Sequence, residues 1–459
     1  MTAKQEPRSR SLDQSIWRDL HEDVFRKHLV KLEERTNAVP ISPVAFVAAD
    51  WRSQSSRTSQ TTHSLSIEVE QQLADDFACL VAVEEGAQSV AAVCVEEQTT
   101  SCGITLRFAA LDVSVNDSIK SALESWSVIL SDVATCDDVQ YPEYVDVFFT
   151  SVVKLHFRRL LARLRSSKWE KPKYLSRTHK KPLWQDFDNL IHRAQFAYAK
   201  KDKSAKLKVE ALVKDLAAIY RGFEEVAKED ELVHLERLVR ASFIFSSTPA
   251  VYDYLNRLES GAGPTPTTQV AAAIKSLRQI QKIAALRRIP ITLANTAHQY
   301  PSLFAGGITV ACLTPFAGVP TTIGYEEWAT TCHVHAEVQL AVHYDLCLQS
   351  KMQSGLSPRA IGISKSLCYL CYQFLRAHGR FFPSRTHGRL YDQWTVPDLA
   401  EFDDDTAERY RDILKRMDDE VVRHTELEPE LWRAEPMTSI DVYSGVETSS
   451  MVNHDSQIT

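Results

Sequence analysis

The stretch SKSLCYLCYQFLRAHG, residues 364–379, places Cys368 and Cys371 three apart at the start of what reads as a helix closing on Gly379. Such a pair is open to three readings: core packing, a redox couple, or half of a metal site. The preceding PRAIGIS, residues 358–364, reads as a short buried strand, and Ser364 or Ser366 is placed to cap the helix, so both cysteines fall in its first turn. Residues at i and i+3 share a helix face, which lets both sulfurs reach one ion. The positive end of the helix dipole favours the thiolate that a metal requires.

A partner lies upstream in CHVHAEVQLAVHYD, residues 332–345, where His335 and Glu337 form an H-x-E at the beginning of another helical stretch. On a helix, i and i+2 point roughly 200° apart. They serve one site only if it lies at the end of the axis. A Zn2+ ion held between two helix N-termini meets that condition, with His335, Cys368 and Cys371 as ligands and a fourth position for water. Glu337 is then placed outside the metal shell as the carboxylate that takes and returns a proton. H-x-E recurs at His234-Leu235-Glu236 and His424-Thr425-Glu426 inside charged helical stretches, but neither stands one helix and one strand ahead of the cysteines. A structural zinc site from Cys368, Cys371, His378 and His387 fits neither common finger spacing, and a thioredoxin-like pair lacks its usual surroundings. A cysteine nucleophile paired with a histidine also remains open. Cys332, His333, His343 and Cys347 have the wrong spacing for the site and read as packing residues.

With these residues in place, the chain resembles the zinc-dependent cytidine deaminase superfamily, whose signature is H-x-E followed by P-C-x-x-C. More narrowly, HAEVQLAVHYD, ISKSLCYLCYQFLRAHGRF and THGRLYDQW look like a fungal branch of nucleic-acid and nucleotide deaminase-like proteins. The motifs span about 320–395. Leu367 stands where the signature has proline, while Ser366 matches the small polar residue often found ahead of it. The resemblance implies an α/β, three-layer cytidine-deaminase-like domain running helix, antiparallel hairpin, H-x-E helix, strand, C-x-x-C helix, strand. It implies zinc-dependent release of ammonia from a cytosine-like or adenine-like base in a nucleotide or single-stranded nucleic acid. It also implies a sugar contact from an Asn after the second strand, for which Asp112, Asn116 or Asn295 are the candidates, and pocket contacts from His387 by hydrogen bonding and Trp394 by stacking. An inactive deaminase fold serving as a binding module is the competing function.

The rest of the 459 residues must supply the remaining elements. SLSIEVEQQLADDFACLVAVEEG reads as a helix, and QSVAAVCVEEQ with GITLRFAALDVSV as a β-hairpin. This predicts a loosely ordered leader over 1–62, the first helix and hairpin of a split deaminase domain over 63–115, and an all-helical block over 116–300. A zinc deaminase core over 301–398, a charged C-terminal helix over 399–430 and a disordered tail over 431–459 follow. The helical block is either an insertion or an accompanying domain, since ITLANTAHQ and GITVACLTP are a rival hairpin that would make two consecutive domains. QVAAAIKSLRQIQKIAALRR is expected to end before Pro290.

With 44% apolar and 25% charged residues, 14 Gly and 18 Pro, the chain has globular rather than low-complexity composition. Its net charge of -7 argues against a surface that clamps a polyanion throughout. Residues 154–181 run against this, with eleven Lys or Arg against Glu170 alone and Trp169 and Tyr174 interleaved. That stretch is either a nucleic-acid footprint or import signal, or a solvated helix face. The opening MTAKQEPRSRSLDQS, without an apolar core, is not expected to act as a secretory signal; no run of 18 apolar residues follows, and nine cysteines mostly within apolar runs read as reduced thiols. The expected setting is intracellular, cytoplasmic or nuclear, without a membrane partner; the oligomeric state is not legible.

Overall fold

The computed structural model describes residues 12–45, 63–84, 90–98, 103–111, 115–173, 181–261, 266–350, 355–382 and 384–428. Helices combine with several small mixed sheets, an α/β architecture. The strands in chain order are β1 (Val44–Ala45), β2 (Ala91–Glu97), β3 (Ile104–Ala110), β4 (Ile308–Cys312), β5 (Val319–Pro320), β6 (Thr331–Val334), β7 (Gly362–Ile363), β8 (Arg385–Thr386) and β9 (Trp394–Thr395). Two units separate: one takes in the described residues up to 82, those within 87–135 and those from 296 on, the other 83–84 and those within 136–295.

In the first unit, β2 and β3 form the hairpin that their β-branched composition predicts, in register from Ala91↔Ala110 to Glu97↔Ile104. β2 is buried at every residue, as suits a central strand covered on both faces. It pairs antiparallel with β7 on its other side, while β4 adds parallel to β3, giving the order β4-β3-β2-β7. Gly362 is required in β7: a Cβ there would lie 2.0 Å from the Ala74 carbonyl carbon, because the helix Ile67–Val81 presses on the strand. A second sheet has the order β5-β6-β9, with β6 and β9 parallel and His333 opposite Trp394. In RFFPSR, residues 380–385, Phe382 forms a bridge to Ala360 and Arg385 begins β8.

Several boundaries differ from expectation. Within the predicted leader, Glu22–Thr36 is a helix whose Phe25, Leu29 and Leu32 recur at i, i+4 and i+7 and are buried in one core with Tyr369, Phe374 and Tyr410. The segment after it pairs β1 with β8, and Leu390 N–H donates to the Ala38 carbonyl at 2.9 Å. Residues 1–11 and 46–62 of the leader, and the tail from 429, lie outside the described residues. The helix Asp117–Thr135, assigned from sequence to the helical block, belongs to the first unit: Ile308 N–H in β4 donates to Ser127 Oγ at 2.9 Å. The rival hairpin is overturned, since residues 291–299 continue the helix Thr268–Gln299 through Pro290. The buried Ile283, Ala284, Leu286, Ile289, Leu293, Ala294 and Ala297 that flank the proline outweigh the roughly 3 kcal/mol it costs in a helix interior.

The second unit is helical, with Phe148, Phe149, Phe187, Tyr220, Leu235 and Tyr254 in its interior. Much of the basic stretch is engaged within it. Arg165 and Lys181 both pair with Asp186, Lys168 reaches Glu231 at 3.1 Å and the Val226 carbonyl at 2.6 Å, and Arg163 donates to the Lys282 carbonyl at 2.7 Å. Trp169 is half-buried; residues 174–180, Tyr174 among them, lie outside the described residues. Among the described residues, no helix is long and apolar enough to cross a membrane.

Candidate metal centre

β6 delivers His335, which stands just before the helix Ala336–Gln349 as its N-cap, with φ -65° and ψ 153°. Because this backbone is extended rather than helical, the 200° separation expected for i and i+2 does not arise. His335 and Glu337 both belong to the opening of one helix. Gln339, one turn on, is almost fully buried and its amide donates to the Val334 carbonyl and the Ala110 carbonyl, both at 2.9 Å. That amide ties the helix start to the ends of β6 and β3. The sequence signal for Gln339 was an amide among apolar residues one turn behind His335.

Cys368 is likewise extended, with φ -71° and ψ 166°, and is itself the N-cap of the helix Tyr369–His378. Its Sγ accepts from Cys371 N–H at 3.3 Å. Neither expected serine caps this helix. Ser364 instead exchanges bonds with Ala91, its Oγ accepting from Ala91 N–H and its own N–H donating to the Ala91 carbonyl, both at 3.0 Å. Ser366 is half-buried in the bend between β7 and the cap. Leu367 N–H donates to the Arg385 carbonyl at 3.0 Å, a bond that proline cannot make. Proline at this position, as in P-C-x-x-C, would remove that bond.

The two helix starts converge. His335 Nδ1 lies 3.6 Å from Cys368 Sγ and 3.3 Å from Cys371 Sγ, and Cys371 Sγ lies 3.5 Å from Glu337 Oε2. The three ligand atoms all fall within 4.8 Å of one another. A tetrahedral zinc with ordinary Zn–N and Zn–S bonds has N···S edges of about 3.6 Å, so this donor set fits the ion in both chemistry and spacing. Both cysteines and Glu337 are buried, while His335 is half-buried. Burial opposes ionisation of Cys368, but the hydrogen bonds from Cys371 and the nearness of His335 outweigh it and hold that thiol well below its ordinary value. Burial, and then the sulfur of Cys368, push the Cys371 thiol well up. Burial also raises the Glu337 carboxyl, against the pull of His335.

The other sequence-chosen residues separate by position. His387 is buried beside the cap: its N–H donates to the Leu367 carbonyl at 3.1 Å, and its Nδ1 accepts from Arg389 N–H at 3.0 Å, which leaves Nε2 to carry the ring proton. Burial lowers its pKa. Trp394 is 1% exposed, with Phe25 and Phe374 against its ring at 6.4 and 6.0 Å, so stacking on a base is closed to it. Asn295 lies in the helical unit, exposed, and accepts from the Tyr141 hydroxyl. Asn116 caps the helix Asp117–Thr135 through Ile119 N–H at 2.9 Å, and Asp112 lies outside the described residues. His378 turns to Asp345 and His424 to the Tyr369 hydroxyl, away from any finger-like set. Cys332 takes a hydrogen bond from Arg26, and His343 pairs with Cys347 at 3.4 Å on one helix. Among the described residues, the cluster of His335, Cys368 and Cys371 is the group whose spacing would hold a metal.

A family model described as "OTT_1508_deam:-like deaminase" matches residues 334–398, the segment that contains His335, Glu337, Cys368 and Cys371. No curated protein and no solved structure matches the chain. The match and the zinc-compatible cluster together support a deaminase.

Proposed function

We propose that the chain is a zinc-dependent hydrolytic deaminase acting on a cytosine-like or adenine-like base of a nucleotide or single-stranded nucleic acid. The observation that carries this reading is the convergence of one imidazole, two thiols and a buried carboxyl at two helix starts. His335, Cys368 and Cys371 would hold the zinc, which when bound supplies a Lewis acid that lowers the pKa of water. Glu337, whose buried carboxyl has a raised proton affinity, would take one proton from the attacking water and give it to the ring nitrogen, then take the second from the new hydroxyl and give it to the departing amino group. In net, water adds to the amino-bearing ring carbon, the exocyclic C–N bond breaks, a carbonyl forms and ammonia leaves. The helix Ile67–Val81, the β2–β3 hairpin and the segment from 296 on would form one split, three-layer deaminase domain, with the helical unit inserted in it. His387 and Ser366, next to Cys368 in space or in sequence, are the proposed contacts to substrate.

The test measures zinc stoichiometry and ammonia release in the wild type, Glu337→Ala and Cys368→Ala, across nucleosides, nucleotides, RNA and single-stranded DNA. Zinc retained in Glu337→Ala and lost in Cys368→Ala, with ammonia from the wild type alone, is the expected pattern. A wild type that takes up no zinc overturns the assignment. Zinc without turnover on any base would leave a zinc-binding module in place of an enzyme.

A further inference from the structure

One carboxylate outside the proposed site gathers three helices. Asp345 lies two turns beyond Glu337 on the helix Ala336–Gln349, and its side chain is fully buried. Its Oδ2 receives His378 Nε2 at 2.9 Å from the end of the helix Tyr369–His378. The same oxygen receives the Tyr410 hydroxyl at 2.8 Å and Arg409 at 2.6 Å from the helix Asp404–Glu426, while Arg380 stands 3.5 Å from Oδ1. The His378 side chain is as completely buried as that of the aspartate. A desolvated carboxylate costs several kcal/mol before its partners repay it, and apolar residues of similar volume often pack the same space with greater stability. What such a group adds is direction, since its acceptor geometry admits a narrow set of helix placements.

We infer that the Asp345–His378 contact, braced by Tyr410 and Arg409, is a positioning device that sets the angle between the two helices whose N-termini carry the proposed metal ligands. The inference rests on the metal-site reading above. Asp345 stands eight residues past Glu337, and His378 seven past Cys371, so the contact lies about 10–12 Å down both helix axes at a rise of 1.5 Å per residue. A tilt of about 1° about that point moves the ligand ends by about 0.2 Å, which is the tolerance of a metal–ligand distance. Small errors at the contact therefore reach the cluster as errors of coordination.

The experiment uses the full chain loaded with cobalt(II) or zinc, and compares Asp345→Asn and His378→Gln with Val421→Ala. The control changes a fully buried valine on the helix Asp404–Glu426, away from the carboxylate. Three quantities are read: the cobalt d–d and thiolate charge-transfer bands, zinc affinity by chelator competition, and thermal unfolding of the metal-free protein. Altered cobalt bands and about a tenfold loss of zinc affinity are expected in Asp345→Asn and His378→Gln, as for residues that orient ligands from outside the metal shell. Val421→Ala is expected to lower the unfolding temperature while leaving bands and affinity as in the wild type. Should Asp345→Asn fail to fold, His378→Gln decides. Wild-type bands and affinity in a folded His378→Gln, or equal changes in Val421→Ala, overturn the inference while leaving the metal site standing. A wild type that takes up neither ion overturns the metal reading and this inference with it.

Discussion

Leu367→Pro would restore the proline of the H-x-E/P-C-x-x-C signature, and the structure predicts that it weakens this chain. Leu367 is 1% exposed, and its N–H donates to the Arg385 carbonyl at 3.0 Å. Its carbonyl accepts from His387 N–H at 3.1 Å and from the Thr386 hydroxyl at 2.8 Å, so the residue binds the 385–387 segment from both sides. Proline and valine each carry three side-chain carbons against the four of leucine, so either change loses roughly 0.8 kcal/mol of burial. Only proline also removes the N–H, leaving the Arg385 carbonyl without that donor at about 1–3 kcal/mol. A stiffer unfolded chain returns up to about 1 kcal/mol of this. Leu367→Pro should therefore be less stable than Leu367→Val by about 1–2 kcal/mol. A chain of two units need not unfold in one step, so a local probe is preferable to a global melt. Hydrogen exchange of the Tyr369 and His387 amides, which bond to the Arg389 and Leu367 carbonyls, supplies one. About five- to thirtyfold faster exchange in Leu367→Pro than in Leu367→Val is expected, at 1.4 kcal/mol per tenfold. Equal protection in the two variants would show that the N–H bond does not account for leucine at this position.

Gly362→Ala should cost about 3 kcal/mol or more in thermal unfolding, because its Cβ would meet the backbone of Ala74 and Asp75 at 2.0 and 2.3 Å. Gly222→Ala, with nothing within 4 Å on an exposed helix, should instead gain about 0.5–1 kcal/mol. Burial pushes the Asp345 carboxyl up, but His378, Arg409 and Tyr410 together bring it from 3.8 to about 2. A depressed carboxyl stabilises the fold above its unfolded pKa, and that contribution, about 2 kcal/mol, is lost as pH falls from about 4 to 2. Urea midpoints across that window should fall more steeply for wild type than for Asp345→Asn, and parallel slopes would contradict the pairing. Asn295→Ala should change stability by less than about 0.5 kcal/mol and leave zinc content and ammonia release as they are. A loss of turnover there would return Asn295 to the substrate.

What the amino-acid sequence determined by itself were the local terms. Period and composition placed the hairpin strands β2 and β3 and the helices that begin after His335 and at Cys368, because burial of a face or stripe is written in the order of side chains. Spacing also singled out His335, Glu337, Cys368 and Cys371. Other readings failed where a local preference met a stronger tertiary one. Pro290 marks a helix end in isolation, yet buried neighbours carry the helix through it. Ser364 and Ser366 are better caps than cysteine, yet Ser364 is bonded to Ala91 and Cys368 takes the cap. The many charges of residues 22–36 hid the fact that Phe25, Leu29 and Leu32 share a core with the Cys368 helix. Trp394 looked like a stacking surface until Phe25 and Phe374 closed on it.

That an imidazole comes within 3.3–3.6 Å of two thiols 33 and 36 residues away in sequence follows from long-range packing alone. The same packing lets the bonds of Gln339 and Asp345 tie the two helices to their surroundings. The physical reason is range. Periodicity and capping act over a few residues, whereas the approach of two helix ends depends on contacts such as β2 with β7, Leu367 with Arg385 and Asp345 with His378, whose partners lie far apart along the chain.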